Sequence, residues 1–325
     1  MRAVVQDAYG DAPETVLRLD QIPLPTVGGD EVLVRVRAAG VDRGTWHLMV
    51  GRPYLMRYIG FGLHRPKSRV PGLDVAGIVE AVGKNVTQLV PGQEVFGTCR
   101  GAFAEYAVAD PKRLTTKPVN LSFEQAAALA VSGTAALQAV RDKAHVTPGQ
   151  QVLVIGASGG VGSFAVQLAK ACGAEVTGVC STGKMDFVRS IGADHVIDYT
   201  SGTLNDGRQR YEAIIDVGGN RSLKELRRAL TPRGTLVITG GENGGAWLGG
   251  IERNFRAALV SPFVGQKLVA FISRLRQRDL ETLRDMAQSH ALTPAVEQSF
   301  PLSEASSALR YLIDGRIRGK IVVTL

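Results

Sequence analysis

Apolar residues follow two rhythms along this chain. Up to about residue 110 they form short runs bounded by glycine, proline or acidic residues: EVLVRVRAAGV (31–41), the three runs of DVAGIVEAVGKNVTQLVPGQEVFG (74–97) and the alternating AFAEYAVA (102–109). Such runs predict β-strands joined by tight turns, which together make a small antiparallel barrel or sandwich. From residue 151 the rhythm changes. Buried-strand runs at 151–156, 175–180, 195–199, 213–218 and 235–240 alternate with helically spaced runs at 161–173, 185–192 and 222–230. This alternation predicts βαβ units and a doubly wound parallel sheet, so the fold class is α/β. A sixth short strand is expected at 257–264, a long helix over 266–290, a further helix entered through Ser303, and a closing strand in GKIVVTL (319–325). A strand arriving after the sheet is complete pairs most simply back into the first domain. The expected division is therefore 1–120 with 265–325, and 121–264.

Composition sharpens that division. Of 38 glycines in 325 residues, twenty lie between Gly149 and Gly250, a stretch with a single proline, Pro232. Its turns need bare backbone, whereas the flanks are punctuated by proline. With 45 % hydrophobic residues the chain can bury a core, and its apolar runs are far shorter than the ~20 residues a membrane span needs. Three scattered cysteines, Cys99, Cys172 and Cys180, form no CxxC pair, which points to a reducing compartment and a cytoplasmic protein. The net charge of +8 invites an anionic partner.

The most specific chemistry lies in QVLVIGASGGVGSFAVQLAK (151–170). Gly156, Gly159 and Gly162 sit between a strand and a helix, a G-x-x-G-x-x-G variant of the dinucleotide fingerprint. Ser158, Gly159, Gly160, Val161 and Gly162 are the expected contacts to a pyrophosphate, which the helix N-terminus favours. The same stretch matches the G-x-S-x-G nucleophile elbow, with Asp216 and His290 in triad order, but no HGGG-type oxyanion segment accompanies it. Folds that prefer NAD place an acid at the end of the second strand, about 20 residues beyond the glycines. Here that end reads GVCSTGK, so Ser181, Thr182 and Lys184 are expected to receive a 2′-phosphate, which favours NADPH over NADH.

The spacing Gly149-Gln150-x-x-Leu153-x-x-x-Ala157-Ser158-Gly159-Gly160-x-Gly162-x-x-x-x-Gln167-x-x-Lys170 resembles the quinone oxidoreductase (ζ-crystallin-type) signature of the medium-chain dehydrogenase/reductase superfamily. The barrel segment 74–97, LSFEQAAALAVSGTAALQAV (121–140) and RGKIVVTL (318–325) extend the likeness over essentially the whole chain. It implies a GroES-like catalytic domain, built from both chain ends, around a Rossmann cofactor domain, and commonly a homodimer. The chain departs from the zinc-dependent branch of that superfamily. Gly40-Val41-Asp42 stands where a cysteine ligand is found, and Gly72-Leu73-Asp74 where Gly-His-Glu is found. Without converging thiolate or imidazole ligands no tetrahedral zinc site can be built, so no metal is expected.

Reducing an isolated ketone calls for a strong carbonyl polariser such as zinc. Quinones and α,β-unsaturated carbonyls need less, because negative charge delocalises to oxygen as hydride arrives. The likeness places His47, Tyr54, Asp42 and Thr134 at the reacting end of the site, Tyr199 at the 2′-phosphate, Gly240 and Gly241 near the nicotinamide, and Arg316 or Arg318 at the phosphate. Expected partners are thus NADPH and a small-molecule substrate. An alcohol dehydrogenase or enoyl-thioester reductase on the same scaffold is an alternative. So is an NADPH-binding protein that associates with RNA or membranes, suggested by the basic, aromatic segment RPYLMRYIGFGLHRPKSRV (52–70), which otherwise reads as a lid over substrate. A second basic cluster, Arg253, Arg256, Lys267, Arg274, Arg276 and Arg278, reads as a solvated helix face.

Overall fold

The computed structural model describes residues 1–201, 209–219, 221–240 and 245–325. The chain forms two compact units, Met1–Thr134 with Leu275–Leu325, and Ala135–Arg274.

The first unit opens with β1 (Arg2–Gln6), the single-turn α1 (Pro13–Val16) and β2 (Leu17–Gln21), the two strands pairing antiparallel. It continues through β3 (Val32–Val41), α2 (Arg43–Val50), β4 (Asp74–Val82), β5 (Glu94–Thr98), β6 (Tyr106–Ala109) and β7 (Leu114–Thr116). Then α3 (Phe123–Ala127), closed by a full Ser122/Gln125 capping box, leads to α4 (Ala130–Leu137), within which the first unit gives way to the second.

The second unit comprises β8 (Gln151–Ile155), α5 (Gly160–Ala171), β9 (Glu175–Cys180), α6 (Met185–Ser190), β10 (His195–Asp198), β11 (Tyr211–Asp216), α7 (Leu223–Ala229), β12 (Leu230–Ile238), α8 (Ile251–Val260) and β13 (Lys267–Ala270). The chain returns to the first unit with α9 (Gln277–Gln288), β14 (Val296–Pro301), α10 (Ala305–Ile313) and β15 (Lys320–Thr324).

The second unit's sheet has the order β10-β9-β8-β11-β12-β13, parallel throughout. The strand order turns at β8/β11, where a doubly wound sheet leaves a crevice at its carboxyl ends. The first unit's main sheet runs β14-β15-β3-β4-β5-β7, with β6 also on β3. Valines at 32, 34, 36, 75, 79 and 95 fill its core, and Ile321 and Val323 of the closing strand complete it.

One buried ion pair ties that sheet together. Asp74 opens β4 and Lys320 opens β15, on either side of β3; both are almost fully buried, and Nζ lies 3.3 Å from Asp74 Oδ2. The ammonium also donates to Ser132 Oγ at 3.3 Å, while Asp74 Oδ1 accepts the Val131 amide of α4 at 2.8 Å. Gly40 makes room for this carboxylate, since a Cβ there would stand 2.8 Å from the Asp74 Cβ and 2.5 Å from the Ala127 carbonyl oxygen. Burial pushes the Asp74 carboxyl up to about 7; the nearby Asp42 adds to the rise, and Lys320 and the Val131 amide oppose it.

Three expectations need correction. Residues 266–290 are not one helix: Lys267–Ala270 is the sixth strand, in register with Thr235–Ile238 of β12, and helix begins only at Gln277. The strand expected at 257–264 is instead the end of α8 followed by a short turn through Pro262, whose missing N–H suits a turn better than a ladder. The division expected at 120 and 265 falls at 134 and 274, because α3 packs on β3 and β4 while β13 extends the parallel sheet.

Removing one partner of a buried pair costs about 3–5 kcal/mol, far more than replacing both. Lys320→Met and Asp74→Asn are each expected to destabilise the protein by that order in urea unfolding, with the double variant losing clearly less than the sum. In Lys320→Met the folded carboxyl, buried without its ammonium, binds its proton well above the usual carboxylate range. Stability of that variant is therefore expected to rise as pH falls from 8 to 5, and a flat profile would contradict the pairing.

Candidate functional site

In the second unit the chain leaves β8 at Ile155 and enters α5 at Gly160 through a turn closed by the Gly159 N–H donating to Gly156 O at 3.1 Å. The N-cap of α5 is Gly159, so no side chain occupies the first-turn N–H groups, and these remain to serve an anion. Gly162 is required by contact, because a Cβ there would lie 2.0 Å from Gly156 O. Ser158 is buried in the turn, and Gly160 and Val161 form the first turn of the helix. The structure thus brings together five of the residues expected around a pyrophosphate.

At the end of β9, Ser181 starts a 3-10 turn through Lys184, whose amide donates to Ser181 O at 2.9 Å. The Thr182 hydroxyl is already used, bonding Asp198 and Thr200. These hydroxyls hold the Asp198 carboxyl below the usual carboxylate range. An acid does approach this corner after all, but it comes from β10. Tyr199 follows it, half exposed, its amide on Cys180 O at 3.1 Å. Gly240 follows β12; Gly241 lies outside the described residues.

Arg253 was assigned by its sequence neighbours to a solvated face, and the structure corrects this. Its Nη2 pairs with Asp216, a fully buried carboxylate at the end of β11 that also accepts the Gly219 amide at 3.1 Å. The Arg253 Nε and Nη1 are buried and have no hydrogen-bond partner. Helical spacing spreads Arg253 among other basic residues, so the sequence signal was the Asp216 left at a strand end, not the arginine. That bond also engages the acid a hydrolase triad would need.

The remaining candidates belong to the first unit. Asp42 caps α2, its Oδ1 accepting from the Thr45 amide at 2.8 Å and the Thr45 hydroxyl at 3.2 Å; Oδ2 is buried with no hydrogen-bond partner. The Thr134 hydroxyl, on α4, is likewise buried without one. His47 lies in the last turn of α2, its Nδ1 2.9 Å from the Arg52 carbonyl oxygen. A carbonyl only accepts, so Nδ1 carries the proton and Nε2 holds the lone pair of the neutral ring. Tyr54 lies against two guanidinium groups, Arg52 and Arg57, the latter 4.7 Å from its ring centroid and 4.2 Å from that of Tyr9. The segment beyond is a short π-helical turn, Arg57–Phe61, with Tyr58 and Ile59 exposed. Arg318 faces Glu297 and Arg316 pairs with Asp314, so each arginine at this chain end has a carboxylate partner.

Asp42 and Leu73 stand where the likeness places the zinc-dependent branch's cysteine and histidine, and neither Asp42 nor the neighbouring Asp74 is part of a metal-binding cluster among the described residues. Among the described residues no three His, Cys, Asp or Glu side chains converge in a way that could hold a metal ion. Asp74 is engaged by an ammonium, and burial raises the Cys99 thiol far above its ordinary value.

A GroES-like barrel with a Rossmann-type parallel sheet defines the architecture of the medium-chain dehydrogenases and reductases. Residues 28–119 match the model of the alcohol dehydrogenase GroES-like domain, and residues 191–323 match that of zinc-binding dehydrogenases. A chloroplastic quinone-oxidoreductase of Triphysaria versicolor is 30 % identical over 99 % of this chain and 98 % of its own length. An NADPH-dependent alkenal/one oxidoreductase of Arabidopsis thaliana is 30 % identical over 99 % of this chain and 79 % of its own. The solved quinone oxidoreductase of Coxiella burnetii superposes with a TM-score of 0.86 at 27 % identity, covering 100 % of this chain and 99 % of that one. The chain belongs to the medium-chain dehydrogenase/reductase family, and its relatives there include quinone oxidoreductases.

Gly162→Ala is expected to push α5 off the glycine turn and to cost about 1–3 kcal/mol or more, as overpacking does. Thermal unfolding checks this; an unchanged midpoint would mean that the close approach to Gly156 is not a constraint.

Proposed function

We propose that the protein is an NADPH-dependent oxidoreductase that passes hydride to the electrophilic carbon of a quinone or an α,β-unsaturated carbonyl, with no metal taking part. The observation that carries this reading is the side-chain-free turn between Gly156 and Gly162, together with a β9 end that offers Ser181 and Lys184 where an acid would select NAD. The named activities of the quinone and alkenal/one relatives support it.

When bound, NADPH supplies the hydride. The first-turn N–H groups of α5 hold the pyrophosphate, Lys184 and Tyr199 receive the 2′-phosphate, and Gly240 leaves space for the nicotinamide half. Arg253, braced on Asp216, adds its Nε and Nη1 donors to the anionic side of this site. Arg318 is a further phosphate ligand if it exchanges Glu297 for the cofactor.

Tyr54 Oη is the proton donor to the substrate oxygen as charge develops there. His47 is not, since in the neutral ring its proton is committed to the Arg52 carbonyl; its Nε2 accepts from the substrate side instead. Asp42 Oδ2 accepts an N–H or O–H of the reacting pair, and the Thr134 hydroxyl orients it; both atoms are buried and unpartnered. A buried orphan acceptor costs free energy unless a ligand satisfies it.

The protein works in the cytoplasm as a homodimer. Three free cysteines suit a reducing compartment, and β13 is an edge strand beside the exposed Phe263 and Ile272, which a second copy would cover.

NADPH oxidation is expected with quinones and 2-alkenals and to survive prolonged chelation; loss of activity on chelation would overturn the metal-free reading, and silence across the panel the enzymatic one. In the same assay Lys184→Ala is expected to raise KM for NADPH roughly tenfold or more, as loss of a charge-assisted hydrogen bond does, and to leave KM for NADH nearly unchanged. An equal effect on both would remove Lys184 from the 2′-phosphate.

A further inference from the structure

The positive charge of this chain is not exhausted by the cofactor. A cavity of about 340 Å³ opens in the second unit, lined by Arg210, Lys224, Arg227, Arg228, Pro232 and Gln266, among other residues. That volume lies at the small end of ligand pockets. No acidic residue lines it, and among the described residues none of its four cations forms an ion pair.

Two of the cations are held in place. Gln266 accepts from Arg227 Nε at 3.1 Å and donates back to Arg227 O at 2.8 Å and to Thr231 O at 3.3 Å. Arg210 is fixed by its Nη1 on Leu230 O at 3.2 Å. The Arg210 and Arg227 guanidinium groups thus each spend one nitrogen on the scaffold and keep others for a ligand. Arg227 and Arg228 lie in the last turn of α7, where the helix dipole favours positive charge. That accounts for two cations in isolation, not for four around one concavity, where like charges raise one another's energy.

The cavity is not the dinucleotide site. Arg210 precedes β11, Pro232 lies near the start of β12, and Gln266 precedes β13, all at the amino ends of parallel strands. The glycine turn, Lys184 and Gly240 follow carboxyl ends. A strand's length, roughly 15–20 Å, separates the two edges.

We propose that this cavity binds an oligophosphate chain, whether free or carried by a nucleotide. Its forked guanidinium groups match phosphate oxygens, and a chain of several phosphates meets four cations at once. The inference stands apart from the proposed reductase activity.

The test is titration calorimetry of the full chain with sodium tripolyphosphate, against sodium chloride of equal ionic strength, repeated with saturating NADPH present. One-site binding that persists with NADPH is expected. Arg210→Gln and Arg228→Gln should each weaken it at least tenfold, Arg227→Gln likewise, while Lys184→Ala leaves it unchanged. The glutamine variants should keep wild-type circular dichroism and KM for NADPH, which separates a lost site from a lost fold. ATP binding tighter than tripolyphosphate would assign the chain to a nucleotide, and weaker binding to a free oligophosphate; both support the proposal. Binding no stronger than in the chloride control, or binding abolished by NADPH and indifferent to Arg210→Gln and Arg228→Gln, would overturn it.

Discussion

The Asp74–Lys320 pair is the constraint around which the first unit is arranged. Neither charge has access to water, so each is tolerable only beside the other, and the two come from residues 246 positions apart. Meeting that condition places β4 and β15 on opposite sides of β3, sets the start of α4 through the Val131 amide, and requires glycine at position 40. The cavity left by a missing methylene would relax; an unmatched buried charge would not.

The candidate residues of the two units are prepared in two different ways. Around the glycine turn the chain withholds side chains, so that backbone N–H groups and a close strand–helix contact do the positioning. In the first unit it does the opposite, committing side-chain atoms selectively. His47 has its Nδ1 proton fixed by a carbonyl, and Asp42 has one oxygen fixed by Thr45. The atoms left over, Asp42 Oδ2 and Thr134 Oγ1, are buried and polar without partners. Preorganised dipoles of this sort are costly to leave unmet, which is why they cluster where ligands bind.

The glycine turn was legible in the sequence because its spacing is local: strand, three glycines and helix lie within twenty residues. The closing strand was legible because an apolar run after a finished sheet has few places to pair. Residues 257–290 were misread since apolar spacing there is ambiguous between strand and helix, and only pairing of Lys267–Ala270 with β12 decides it. The Arg253–Asp216 and Thr182–Asp198 contacts were invisible for a related reason. Each joins different strands or helices, and no periodicity encodes which acid a given basic or hydroxyl group will meet.

The order of synthesis acquires a meaning from the position of Lys320. When the ribosome has made residues 1–134, the barrel's β3 still lacks β15, and Asp74 lacks the ammonium that makes its burial tolerable. The whole second unit, 135–274, is made before that partner exists. The second unit thus has its full set of strands while the first still lacks its closing pair, the reverse of the amino-terminal-first order usual for multidomain chains.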